Sequence, residues 1–206
     1  HCVTGVQTCA LPISDGKDQE SVSEEMNFHY GLVLWGKVKA KKTKAAAMTA
    51  TAVSASSRKA SPVSTANHLP LVLEALGKLM LKVNARAIQT YFFMTNQQML
   101  NSTEANNDDE VEVHPPEFRH NKVTGILFDN KVDCTTWFSP DRCCIHGIQM
   151  LPLTPIIPLI RPLRFVEEEW EDILKHLPIV KDPKVNPNPW QSILFANYAR
   201  IDNRKA

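Results

Sequence analysis

Hydrophobic positions recur at helical intervals along much of the chain. Phe28, Leu32 and Trp35 fall at i, i+4 and i+7, the spacing of one helix face. The same stretch alternates at Met26, Phe28, Tyr30, Leu32 and Leu34, which suits a strand, so period alone leaves both open. The start signal favours a helix: Ser21-Val22-Ser23-Glu24 matches a capping box, with Ser21 as cap and Glu24 reaching back. Further on, Leu73, Leu76, Leu79, Met80, Val83, Ala87 and Tyr91 predict one long helix within Leu69 to Leu100, or two broken near Gly77. Phe165, Val166, Trp170, Ile173, Leu174 and Leu177 form an apolar stripe opposed by Glu167, Glu168, Glu171 and Asp172. Trp190, Ile193, Leu194, Tyr198 and Ile201 form another.

The segments between these stripes are irregular. KVTGILFDNKVDCTTWF is rich in β-branched and aromatic residues and predicts a short strand pair. LPLTPIIPLIRP carries Pro152, Pro155, Pro158 and Pro162, which exclude a continuous helix, and its Ile156, Ile157, Leu159 and Ile160 predict burial. Residues 37–68 are dominated by Lys, Ala, Thr and Ser and read as a low-complexity insertion or linker, with residues 39–66 expected to be disordered or loosely helical. The fold class is therefore mainly α, with short irregular and β connecting segments.

Composition narrows the field. A net charge of +1 over 206 residues gives no basic field for nucleic acid. No uncharged apolar run reaches the roughly 18 residues of a membrane span; the best stretch, Leu69 to Val83, is interrupted by Pro70, Glu74, Lys78 and Lys82. The opening HCVTGVQTCALPIS resembles the conceptual translation of a sequencing-library adapter, so residues 1–14 are set apart as a non-native segment expected to pack against nothing. That leaves Cys134, Cys143 and Cys144, an odd number that is not a disulfide framework. Asp133 and His146 lie nearby, but the cysteine spacing is not that of a zinc knuckle, and no metal or other cofactor is expected. Asn101-Ser102-Thr103 is a glycosylation sequon, meaningful only in a secreted protein, and the acidic run Asp108, Asp109, Glu110 lacks the regular spacing of a calcium loop.

The candidate chemistry lies at the start. DGKDQESVSEE places Glu20 and Glu24 four apart. On a helix they would project from one face about 5–6 Å apart at Cβ. Carboxylates there suit the positive end of the helix dipole, which is one reading. The other is glycoside hydrolysis, which needs a carboxylic acid on the leaving oxygen and a second carboxylate opposite. Two glutamates side by side serve the same side of the bond: one activates water, the other orients it or binds sugar, and the acid comes from elsewhere.

DGKDQESVSEEMNFHYGLVLWG resembles the signature of glycoside hydrolase family 81, the endo-β-1,3-glucanases, with their E-S-x-S-E and Y-G-x-x-L-x-G patterns. VTGILFDNKVDCTTWFSPDRCCIHGIQMLPLTPI is similar to a second block, N-K-x-D-x-x-T-x-F followed by I-H-G-I-x-M-L-P-x-T-P, and FVEEEW continues the likeness. The resemblance covers residues 15–36 and about 80–206. It implies that residues 15–206 are the C-terminal part of an (α/α)6 barrel catalytic domain. It also implies an inverting mechanism whose aspartic general acid lies upstream of E-S-x-S-E, so that this chain alone is a fragment lacking its acid. Glu20 and Glu24 are then the catalytic carboxylates, with either as base. Tyr30, Trp137, Asp133 and His146 are candidate sugar-binding residues, by ring stacking or hydrogen bonds to hydroxyls. The implied partner is β-1,3-glucan, and the implied location is extracellular or the cell wall. The rival reading is a non-catalytic helical interaction or carbohydrate-binding protein. A shared concavity holding Glu20, Glu24, Asp133 and His146 favours the hydrolase.

Overall fold

A computed structural model describes residues 16–53, 68–96, 113–184 and 187–202. The adapter-like segment, residues 54–67 of the low-complexity stretch, the sequon and the acidic run lie outside the described residues. The chain is mainly α and divides into two compact units: Glu25–Asn84, and a second that joins the segment through Glu24 to Ala85 onward.

The first unit is a helical hairpin made from the greater part of α1 (Val22–Val53) and of α2 (Leu69–Tyr91). The helical alternative for residues 26–35 holds, and the residue 69–91 stretch is one helix without a break at Gly77. Helix α1 also runs into the low-complexity stretch as far as Val53, and Lys37, Lys39, Lys41, Lys42 and Lys44 on it are exposed. Glycines set the register. A Cβ on Gly36 would lie 2.7 Å from Pro70 O and Glu74 N, and one on Gly77 would lie 2.9 Å from Val33 N and Val33 Cγ2. Nearer the start of α1, Asn84 Nδ2 donates to Glu25 Oε1 (2.9 Å) and reaches buried His29 Nδ1 (3.2 Å). The two helices are therefore antiparallel. Their buried faces differ from the stripes of large apolar residues. Phe28, Trp35, Leu76, Leu79 and Val83 are exposed, whereas Met26, His29, Val33, Gly36, Gly77 and Leu81 are buried. Close backbone approach selects the glycine faces, and a search for large hydrophobes does not register them.

The second unit opens with β1 (Asp18–Gln19), which pairs antiparallel with β2 (Ile126–Phe128); β2 pairs in turn with β3 (Val132–Asp133), in the order β1-β2-β3. The predicted strand pair is thus present and gains a third strand from the far end of the sequence. Gly125 precedes β2 because no side chain fits there: a Cβ would lie 1.9 Å from Thr135 O. After a short α3 (Pro116–Arg119) and the sheet come α4 (Arg142–Ile148), α5 (Ile157–Ile160), α6 (Leu163–Asp172), α7 (Pro178–Lys181) and α8 (Trp190–Tyr198). In the proline-rich run Ile156, Ile157 and Ile160 are buried as expected, while Leu159 is exposed. The α6 stripe is buried through Phe165, Val166, Trp170, Ile173 and Leu174, and with Cys143, Cys144, Met150 and Leu194 it builds a core. Gly147 admits the Trp190 ring, since a Cβ would lie 2.3 Å from its Cε3.

One buried polar cluster ties this unit together. Glu169 of α6 has no exposure and accepts from His146 Nδ1 of α4 at 2.7 Å and from Arg161 Nη2. The Arg161 guanidinium lies 5.0 and 5.1 Å from the rings of Phe93 and Phe165, which stack on each other at 4.4 Å. Burial pushes the Glu169 carboxyl up, but the Arg161 charge and the His146 hydrogen bond outweigh it and hold the carboxyl below the usual range.

Two stability outcomes follow from this packing. Gly36→Ala gains about 1 kcal/mol of helix propensity but meets facing backbone, where overpacking costs about 1–3 kcal/mol, so the thermal midpoint falls; a rise would contradict the hairpin register. Glu169→Gln strands Arg161 without its counter-charge and costs about 3–5 kcal/mol by denaturant titration. Since folding lowers the Glu169 pKa, its contribution is complete above the ordinary glutamate value and is lost as pH falls through the lowered one. The variant therefore shows a shallower loss of stability in acid than the parent.

Candidate active site

Helix α1 begins at Val22, so Glu20 lies ahead of it, in the link from β1, and only Glu24 stands in its first turn. The pair expected side by side on one helix is instead split across a helix start. Pairing of Asp18 and Gln19 with Phe128 and Leu127 holds the chain extended up to Glu20 and produces the split. Ser21 occupies the expected cap position, and its hydroxyl donates to Ile148 O at 3.4 Å.

The Glu20 carboxylate is half-buried and accepts the Trp137 backbone N–H at Oε1, 2.8 Å away. Trp137 Nε1 donates to Asp18 Oδ2 at 2.6 Å, and its ring stands edge-on to Phe128 at 5.8 Å. Burial pushes the Glu20 carboxyl above the usual glutamate value; the Trp137 amide opposes this, and the charges of Asp18 and Glu24 add to it. A carboxylate that is raised yet ionisable, with one oxygen fixed by an amide, is suited to accept a proton from water. Glu24 is exposed beside it, at the helix end where the dipole favours an anion.

The other candidates are placed as follows. Trp137 is half-buried and joins the Glu20 group directly. Asp133 lies on β3 of the same sheet as Asp18, and its carboxylate meets Lys131 Nζ at 3.2 Å. Tyr30 belongs to the helical hairpin, where it is half-buried. His146, a candidate for sugar hydroxyls, is 1% exposed with Nδ1 on Glu169; its place is the interior, and it offers no atom at the surface. Asp141, Cys143 and Cys144 bring a carboxylate oxygen and two sulfurs within 4.8 Å of one another. Burial pushes the Cys143 thiol up to about 11, which opposes thiolate ligation. Asp18, Arg161, Glu169 and Gln149 were not singled out from the sequence. Glu169 carried a usable signal, because it sits three and four residues after Val166 and Phe165 on the apolar stripe.

A profile of the glycosyl hydrolase family 81 C-terminal domain matches residues 8–61 and 68–206. The chain belongs to this family. Its match runs through residue 61 of the low-complexity stretch and begins within the adapter-like segment. The chain is 36% identical over 189 residues to the glucan endo-1,3-beta-D-glucosidase of Arthroderma benhamiae, covering 92% of this chain and 16% of that protein. It is 33% identical to glucan endo-1,3-beta-D-glucosidase 2 of Saccharomyces cerevisiae, over 93% of this chain and 19% of the relative. It is 29% identical to the primary septum glucan endo-1,3-beta-D-glucosidase of Schizosaccharomyces pombe, over 90% of this chain and 14% of the relative. The chain thus spans less than a fifth of the length of these family 81 relatives. No helix among the described residues is long and apolar enough to cross a membrane.

The electrostatics around Glu20 are open to direct titration. The Glu20 carboxyl, followed by NMR, titrates above the ordinary glutamate value. Asp18→Asn removes a like charge while keeping an oxygen for Trp137 Nε1, so the midpoint moves down. An unmoved midpoint would refute the coupling of the two carboxylates.

Proposed function

We propose that this chain is part of the catalytic domain of an endo-β-1,3-glucanase, with Glu20 as the general base and Glu24 orienting the attacking water. The observation that carries the reading is the Glu20 carboxylate, half-buried, raised in pKa and pinned by the Trp137 amide beside an exposed second carboxylate. Family membership and the names of the relatives, all glucan endo-1,3-beta-D-glucosidases, supply the substrate, β-1,3-glucan. The reaction is inverting: the base deprotonates water on one face of the sugar while an acid protonates the leaving oxygen on the other. That acid comes from the longer protein, as do the remaining helices of an (α/α)6 barrel to which the α1–α2 hairpin contributes. Trp137 and Tyr30 stack on glucose rings, and Asp133 hydrogen-bonds a hydroxyl. No cofactor takes part. The septum glucanase among the relatives favours a secreted or cell-wall location.

Turnover and stability measured on the same variants test the assignment. In the full-length enzyme carrying this segment, Glu20→Gln cuts turnover on linear β-1,3-glucan by about 10² or more with little change in melting temperature. Glu24→Gln lowers turnover less. If both glutamates were only helix-start residues, turnover would survive and stability would drop by about 0.5–2 kcal/mol. The 206 residues alone show negligible hydrolysis, because acid and base each contribute about 10²–10⁴-fold.

A further inference from the structure

Gln149 follows α4 and is fully buried, which is unusual for a long polar side chain. Every atom of its amide is engaged. Nε2 donates to Glu20 O, and reaches Gly125 O at 3.3 Å and Thr124 O at 3.4 Å. Oε1 accepts from Val22 N at 3.4 Å. One side chain thus grips the backbone on both sides of Ser21, at the carbonyl of Glu20 and at the first amide of α1. The two serines between the glutamates complete the attachment. Ser21 Oγ donates to Ile148 O, and Ser23 Oγ donates to Ile148 O at 3.2 Å and to Leu151 O. All these partners lie on residues 148–151, more than 120 positions away in sequence. Ile148 ends α4, so its carbonyl is one that helix geometry leaves without a partner in the next turn.

We propose that Gln149, with Ser21 as its auxiliary, is a positioning residue for Glu20, fixing the main chain from which the base carboxylate projects. This rests on the reading of Glu20 as the base. The Glu20 side chain is anchored at its tip by the Trp137 amide and at its root by Gln149. With both ends held, its rotamers are restricted before substrate arrives. Catalytic groups need to be held within about 0.5 Å of their working position, and a misplacement of about 1 Å costs roughly 10²-fold in rate. A residue that acts this way changes kcat and leaves sugar binding, and so KM, nearly untouched.

The test uses the full-length enzyme, assayed on linear β-1,3-glucan well below every variant's melting temperature. Gln149→Met keeps the chain length and removes every hydrogen bond; kcat falls by about 10–100-fold with KM within about threefold. Ser21→Ala removes one half-buried hydroxyl and keeps the fold; kcat falls by about 3–10-fold, on the same misplacement argument. Leu194→Ala, in the core among α4, α6 and α8, lowers the melting temperature but leaves kcat near the parent value. Should Gln149→Met fail to fold, Ser21→Ala decides. If Gln149→Met and Ser21→Ala both keep kcat within about twofold of Leu194→Ala while Glu20→Gln abolishes turnover, the positioning role is overturned alone. If Glu20→Gln retains turnover, the base reading falls and the positioning role with it.

Discussion

A carboxylate without exposure needs partners, and Glu169 recruits them from two other parts of the chain. His146 comes from α4, Arg161 from the end of α5, and Glu169 itself from α6. An unpaired charge in this place would cost several kcal/mol, so these elements are held in one arrangement. The aromatic faces of Phe93 and Phe165 bring the residues just after α2, where Phe93 bridges to Val123, into the same knot. Helix α4 is short, with only seven residues, and would not form alone. Its orientation comes from His146 on one side and from Gly147 against Trp190 on the other. Residues 148–151 inherit that orientation, and the segment bearing Glu20 is fastened to them.

Rigidity thus passes from a buried ion cluster to a surface carboxylate through main-chain atoms. The last carbonyl of α4 needs donors, which Ser21 and Ser23 supply, and the first amide of α1 needs an acceptor, which Gln149 Oε1 supplies. Strand β1 adds a third attachment from the opposite direction, by its ladder to β2. The result is an extended approach into a helix start, with one carboxylate before the turn and one in it. The two differ in solvation although they are four residues apart. Burial sets Glu20 apart by pushing its carboxyl above the usual glutamate value.

Much of the helical content was legible from apolar period, and the strand pair from β-branched and aromatic enrichment. The faces were less so. On α1 and α2 large hydrophobes stand exposed while Gly36 and Gly77 are buried, because backbone contact, not side-chain size, selects the interface. The glutamate pair was legible as a pair, and as helix-start chemistry, from its capping pattern. Its geometry was not, since β1 exists only through pairing with β2 at residue 128, over 100 positions on. His146 was a candidate for sugar hydroxyls, and its buried partner Glu169 sits in a run of three glutamates, set apart only by its place on the apolar stripe. Gln149 occupies the unspecified place in I-H-G-I-x-M-L-P-x-T-P, and its task became visible only when residues 20–22 were seen across from it.

The acceptors facing Ser21, Ser23 and Gln149 are peptide oxygens, which every amino acid carries. Side chains at Ile148 and Leu151 can therefore vary without removing an acceptor from the attachment. Gly125 is the exception, for want of room beside Thr135. Divergent relatives can thus inherit the same carboxylate placement while their flanking sequence becomes hard to align. Such a site is recognised better by the path of its backbone than by the identity of its neighbours.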